Sequence, residues 1–206
     1  MGRRFDPDGA YKNKALISSA FSCFWCDSWN MPHTFSHIKT RRLDLYCLTA
    51  EELETKELSG REFENPHGVF SGEDLPRTNR LADVKANPEN IRWYYRIIVD
   101  RERDVAVGSV SFHAAPDERG MIEIGIGVAA PERGNGFASE ALTGMWDWAI
   151  TQKDVKFLRY TVSPDNLESI AIIRNFGFPQ VGEQVDPEDG LEYIFEASVE
   201  HYKDWL

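Results

Sequence analysis

The segment MIEIGIGVAAPERGNGFASEAL, residues 121–142, constrains the fold more than any other part of the chain. Its first eight residues alternate as a strand does, with Ile122, Ile124, Ile126 and Val128 on one face. The other face carries Met121, Glu123, Gly125 and Gly127, which is bare backbone beside a single carboxylate. Glycine weakens a strand interior and often marks the close approach of a ligand or another backbone. Arg133, Gly134 and Gly136 follow, and then a helical pattern from about Asn135 to Thr151. Its apolar residues Phe137, Ala141, Leu142, Met145, Trp146 and Ala149 give one broad buried face. The unit is therefore strand, glycine loop, helix.

Such a loop can hold an anion against backbone N–H groups and the positive end of a helix. Arg133 could clamp phosphate oxygens with its planar fork. A nucleoside-triphosphate loop needs G-x-x-x-x-G-K-[ST], and no Lys follows Gly136. A dinucleotide fingerprint needs G-x-G-x-x-G, whereas GNGFAS ends in Ser and comes late in the chain, after an apparent antiparallel meander. Taken alone, the loop is equally compatible with a plain strand-to-helix turn carrying a surface arginine. The strand before it adds a groove, with an acid at one end and a cradle at the other. An extended acyl carrier bearing a pyrophosphate fits that groove.

The remaining pattern reads as one domain. RLDLYCLT (42–49) alternates as a strand, and Thr49 with Glu52 forms a capping box that starts a helix at Ala50. Residues 60–90 are rich in Gly, Pro, Asn and charge, with short helical possibilities only; so long a connection is often a substrate-binding region. RWYYRIIVD (92–100) and VAVGSVSFHAA (105–115) predict two strands, FLRYTVS (157–163) another, and LEYIFEASV (191–199) the last. NLESIAIIRNFGF (166–178) predicts a helix closed by a left-handed Gly177. Trp146 and Trp148 read as core or helix surface, and His113 as structural.

Of the 206 residues 42% are hydrophobic, enough for one well-packed core, and the net charge of −11 argues against a nucleic-acid partner. No apolar run approaches the ~18–20 residues of a membrane span. ALISSAFSCFW (15–25) faintly resembles a signal segment, but Asp6 and Asp8 precede it and no small-residue cleavage site follows, so a cytoplasmic location is expected. Cys23 and Cys26 form a C-x-x-C with His33 and His37 downstream, too close for finger spacing; with Cys47 they read as incidental thiols, and no metal is expected. Residues 1–38 form a poorly patterned N-terminal arm ahead of a domain at 39–206. One expectation is that the natural start is Met31, which a native peptide from residues 5–25 would exclude.

Residues 42–199 resemble the GNAT superfamily of acyl-CoA-dependent N-acyltransferases, nearest its branch of ribosomal-protein alanine acetyltransferases. Arg133, Gly136 and Ala138 match its [QR]-x-x-G-x-[GA] motif, and Asn166, Ser169, Gly177 and Phe178 match N-x-x-S followed by a helix and GF. The resemblance implies an α/β (α+β) fold: a mixed, mostly antiparallel twisted sheet whose parallel central strands, 121–128 and 157–163, splay apart and are flanked by helices. Acetyl-CoA would lie in that V against Ile126, Gly127, Val128, Arg133, Gly134, Asn135, Gly136, Phe137, Ala138, Asn166 and Ser169. Its partner would be an amine acceptor, with a homodimer left open.

Acetyl transfer to an amine needs a base, an oxyanion partner and a proton for the thiolate. The resemblance implies Glu123 as base, direct or through water, with burial raising its pKa towards neutrality. Backbone N–H near Ile126 to Val128 would meet the oxyanion. Many family members place Tyr seven positions after the Asn; here Ile173 stands there, and Ser169 is the substitute. A binding module that holds acyl-CoA without turnover is the alternative reading of the same fold.

Overall fold

The computed structural model describes residues 37–55, 57–58, 60–70, 78–187 and 189–205. Most of the expected arm, with Cys23, Cys26 and His33, lies outside them. Eight strands form one sheet in the order β1-β2-β3-β4-β5-β6-β8-β7. They are β1 (Ile38–Lys39), β2 (Leu43–Cys47), β3 (Arg96–Asp100), β4 (Val105–Phe112), β5 (Met121–Val128), β6 (Phe157–Val162), β7 (Gln180–Asp186) and β8 (Gly190–Ser198). The helices are α1 (Ala50–Thr55), α2 (Thr78–Ala86), α3 (Phe137–Ala149), α4 (Leu167–Asn175) and α5 (Val199–Trp205). Every neighbouring pair is antiparallel except β5 and β6.

That exception positions the site. Strands β5 and β6 pair only from Met121–Phe157 to Glu123–Arg159 and then part, while β5 stays paired with β4 as far as Val128. On the β4 edge, the His113 N–H donates to the Glu123 carbonyl and the Ala129 N–H to Val107. By strand alternation the backbone of Ile126 and Val128 then faces the other way, into the gap that β6 has left.

Helix α3 crosses one face of the sheet because its apolar stripe leaves no alternative. Ala141, Leu142, Met145, Trp146 and Ala149 are fully buried there with Leu45, Phe112, Ile122 and Ile124. Trp146 stacks on Phe178 and meets Phe176 and Tyr202 edge-on. Burying each such ring stabilises the fold by about 1.5–3 kcal/mol. Glu140 of α3 accepts from Thr40 Oγ1 (2.6 Å), the Arg42 N–H (2.6 Å) and Arg42 Nε (2.7 Å), which ties the helix to the start of the sheet.

Several boundaries differ from the sequence expectation. The strand expected from residue 92 begins at Arg96, because Pro88 opens a 3-10 turn over Pro88–Trp93 that buries Ile91 and Trp93. Core packing of Trp93 against Phe112 and Trp148 overrides the β preference of that aromatic run. The strand expected over 105–115 ends at Phe112. Strand β7 escapes sequence reading because it is an edge strand whose Val181 and Val185 are exposed. The last strand, expected over 191–199, ends at Ser198, whose hydroxyl accepts from the His201 N–H as helix α5 begins. The capping box forms as expected, with the Glu52 N–H donating to Thr49 Oγ1 (3.1 Å) and the Thr49 N–H to Glu52 Oε2 (2.8 Å). Gly177 ends α4 at φ +70°.

Candidate functional site

The loop between β5 and α3 folds as its glycines require. Gly134 and Gly136 adopt φ of +78° and +77°, where a Cβ would be strained. The helix begins at Phe137 rather than Asn135, since left-handed Gly136 is its N-cap and no side chain caps it. The first helical bond runs from the Glu140 N–H to the Gly136 carbonyl, so the preceding amides have no partner within the helix. Arg133 is exposed and spends one donor, Nε, on the Val128 carbonyl at 3.1 Å, which leaves the rest of its fork for a ligand. Beneath the loop, buried Glu132 accepts from Arg103 (2.8 and 3.1 Å) and contacts His67 Nε2 (3.0 Å). The Arg103 bonds chiefly hold its carboxyl below the usual carboxylate range, against the opposing effect of burial.

A cavity of about 460 Å³ opens at this loop. It is lined by Ile126, Gly127, Val128, Arg133, Gly134, Gly136, Phe137, Ala138, Asn166 and Ser169, so ten of the eleven expected cofactor positions lie together. Asn135 is the exception: its amide turns away and donates to the Glu132 carbonyl at 3.0 Å. Asn166 caps α4, its Oδ1 accepting from the Ser169 N–H at 3.1 Å. A Cβ on Gly127 would meet nothing within 4 Å, so that stretch of backbone stands open.

Two wall residues were not anticipated. Tyr160 comes from β6, buried and alternating inward with Leu158 and Val162, and it lines the cavity together with Ser169. Burial pushes its pKa up, with Ser169 acting in the opposite sense, so the phenol stays protonated at neutral pH. Ile172 of α4 is the apolar side of the same wall, and Ile173 is fully buried in the core.

Glu123 lies just where β5 and β6 begin to part, outside that lining. Its Oε1 accepts from Thr161 Oγ1 at 2.6 Å and sits 3.3 Å from His113 Nδ1. The expectation that burial raises its pKa is overturned. Burial does push it up and is the largest single influence, but the close His113 ring and the Thr161 hydrogen bond, with the charges of His113 and Arg159, outweigh it. The carboxyl is held below its ordinary range. His113, read as structural from sequence, is thus part of the polar cluster; hairpin arithmetic could have found it, because Phe112 opposite Ile124 sets 113 opposite 123. Among the described residues no group of three or more His, Cys, Asp or Glu could hold a metal ion, and no helix is long and apolar enough to cross a membrane.

A family model for the acetyltransferase (GNAT) domain matches residues 54–179, more than half of the chain. The chain belongs to the GNAT acetyltransferase family. It is similar to the uncharacterized N-acetyltransferase p20 of Bacillus licheniformis, 31% identical over 85 residues, covering 41% of this chain and 48% of that protein. The chain spans about half the length of the curated relatives it matches. Its fold is also that of RimL, a ribosomal L7/L12 alpha-N-protein acetyltransferase solved with coenzyme A (TM-score 0.56, 16% identity, 81% of this chain and 99% of that one). The spermidine/spermine N-acetyltransferase SpeG of Vibrio cholerae matches equally (TM-score 0.56, 15% identity, 79% of this chain and 96% of that one). This GNAT domain therefore shares one scaffold with enzymes named for a protein and for a polyamine.

Proposed function

We propose that the chain is an acetyl-CoA-dependent N-acetyltransferase that acetylates a primary amine by direct attack within a ternary complex. The observation that carries this reading is the cavity itself. A helix N-terminus, two left-handed glycines and an arginine fork meet the β5 backbone that β6 has released. A pyrophosphate suits the first three and an amide-bearing arm suits the last. No Lys, no Mg-binding hydroxyl after it and no third glycine are present to favour a nucleotide cofactor instead.

The chemistry follows from what surrounds the gap. Backbone N–H groups at Ile126 and Val128 can meet the oxyanion that forms when nitrogen attacks the thioester carbonyl. The proton lost by nitrogen goes to the polar cluster built on Glu123. The thiolate leaves past Ser169, which shares the cavity wall with the protonated Tyr160. A thiol of ordinary acidity, with a pKa of ~8.5, needs only modest help to depart. RimL and SpeG are named for amine acceptors of different kinds, and this supports a primary amine while leaving its size open.

The test has two arms. Titration with acetyl-CoA, CoA and ATP should raise the melting temperature for the two CoA species and not for ATP. Free thiol should then appear when acetyl-CoA is mixed with a panel of N-terminal peptides, polyamines and amino acids. Stabilisation without thiol release for any amine would leave a binding module; no stabilisation would remove the cofactor assignment altogether.

A further inference from the structure

Strands β4 and β5 form a hairpin whose register sets His113 opposite Glu123, and the His113 N–H donates to the Glu123 carbonyl at 2.8 Å. Opposed residues share a face of the sheet, so imidazole and carboxylate meet, Nδ1 to Oε1, at 3.3 Å. The other ring nitrogen lies over Gly125. A Cβ built on that glycine would sit 2.8 Å from His113 Nε2, closer than any real side chain is found. The two bare positions on β5 therefore have different causes. Gly127 faces open space beside the cavity, and Gly125 is bare because an imidazole occupies its place.

The environments of the two groups divide the work between them. The Glu123 side chain is 17% exposed, and Oε1 already has Thr161 and His113 as partners. A carboxylate so satisfied is a weak proton acceptor for an ammonium group. The His113 side chain is 44% exposed. With Nδ1 set 3.3 Å from Glu123 Oε1, a proton held on Nδ1 leaves the lone pair on Nε2, which lies over Gly125, one residue before the released backbone at Ile126. Among the described residues, the other charged groups near this cluster are Arg159 of β6, bound to Glu196 of β8 (2.7 Å), and Arg80 of α2, whose Nη1 reaches Ser111 Oγ on β4 (3.4 Å).

Building on the acetyl-transfer reading, we propose that His113 Nε2 takes the proton from the acceptor amine and that Glu123 is a positioning residue which orients the ring. The ammonium gives one proton to Nε2, and the neutral nitrogen attacks the thioester carbon. The C–N bond forms, the C–S bond breaks, and the second nitrogen proton neutralises the departing thiolate. His113 then releases its proton to solvent, so one proton is lost per turnover.

The test is the pH profile of kcat/KM, using an amine found in the panel, with acetyl-CoA affinity measured alongside. H113Q should lose on the order of 10²-fold or more in kcat/KM. Its remaining pH dependence should follow only the acceptor's own ammonium, with acetyl-CoA affinity unchanged as proof of folding. E123Q should lose less and keep the histidine limb. G125A should push the ring aside and lose about tenfold at constant acetyl-CoA affinity, which tests the assignment without touching either polar side chain. An H113Q variant with wild-type rate and profile would overturn the proposal alone. If E123Q, and not H113Q, abolishes the limb, Glu123 is itself the base. A wild-type protein that releases no thiol with any amine would defeat the transferase reading and this assignment with it.

Discussion

The cavity at the α3 N-terminus and the polar cluster at Glu123 lie on the same strand, yet they are built on opposite principles. The cavity is mostly backbone: two glycines at positive φ, the first amides of a helix, and a strand edge that has lost its partner. The cluster is side chain only, one group each from the residue after β4, from β5 and from β6, with contacts of 2.6 and 3.3 Å. Backbone geometry is set by local sequence and tolerates changes in neighbouring side chains. A side-chain cluster depends on register across strands far apart in the chain. Donor binding and proton transfer should accordingly respond to different substitutions.

The most demanding break of this contrast is the double variant R133A/H113Q. Arg133 bonds the Val128 carbonyl and His113 contacts Glu123, so they share no partner. Their effects should multiply, to roughly 10³-fold in kcat/KM, as for uncoupled sites. A double variant no worse than H113Q alone would show that the two regions act as one unit. Next is Gly136→Val, which forces a β-branched residue to φ +77°. Strain of about 1–3 kcal/mol should be relieved by rearranging the loop. Acetyl-CoA affinity should fall on the order of 10-fold or more, with kcat at saturation little changed. Arg133→Ala alone should raise the KM for acetyl-CoA about tenfold, an effect that shrinks with added salt because the side chain is exposed. Ser169→Ala should cost only a few-fold in kcat, measured at saturating acetyl-CoA.

The same contrast explains what was legible in the sequence. The geometry of the cavity was legible because it is local: one strand, one loop and one helix within residues 121–142, whose glycines state their own conformation. Asn135 alone of the expected positions lies off the cavity lining, since nothing in its identity says that its amide turns to the Glu132 carbonyl. The cluster was illegible as a unit. Glu123 was identified, but its burial suggested a raised pKa, and the hydroxyl and imidazole that reverse the sign come from Thr161 and His113. Tyr160 was hidden in another way, being one more apolar-looking member of an alternating strand until Ser169 of α4 is brought beside it. Strand β7 and helix α5 were missed because an exposed edge and a capped chain reversal carry no periodicity of their own.

The smallest expected effect concerns what holds the two regions to the rest of the sheet. Glu140 is the one side chain of α3 that reaches Thr40 and Arg42 with three bonds, and Arg42 also lies over the Phe137 ring at 4.9 Å. Burial raises the Glu140 pKa and is the largest single influence, yet the bonds from Thr40 and Arg42 together outweigh it and leave the carboxyl below its ordinary value. A depressed folded-state pKa means that the unfolded chain binds the proton more readily. The stabilisation is therefore fully present above the unfolded carboxylate value of ~4.3 and is lost as pH falls through the lower folded value. Glu140→Gln keeps the shape and removes the charge. It should lower the melting temperature by a few degrees at pH 7, and the gap from wild type should close as both are acidified below pH ~4. A gap that stays constant down to that pH would mean that Glu140 acts through shape alone. Acetyl-CoA affinity should follow the same pH course, because α3 presents its N-terminus to the cavity only while its first turns are anchored to the sheet.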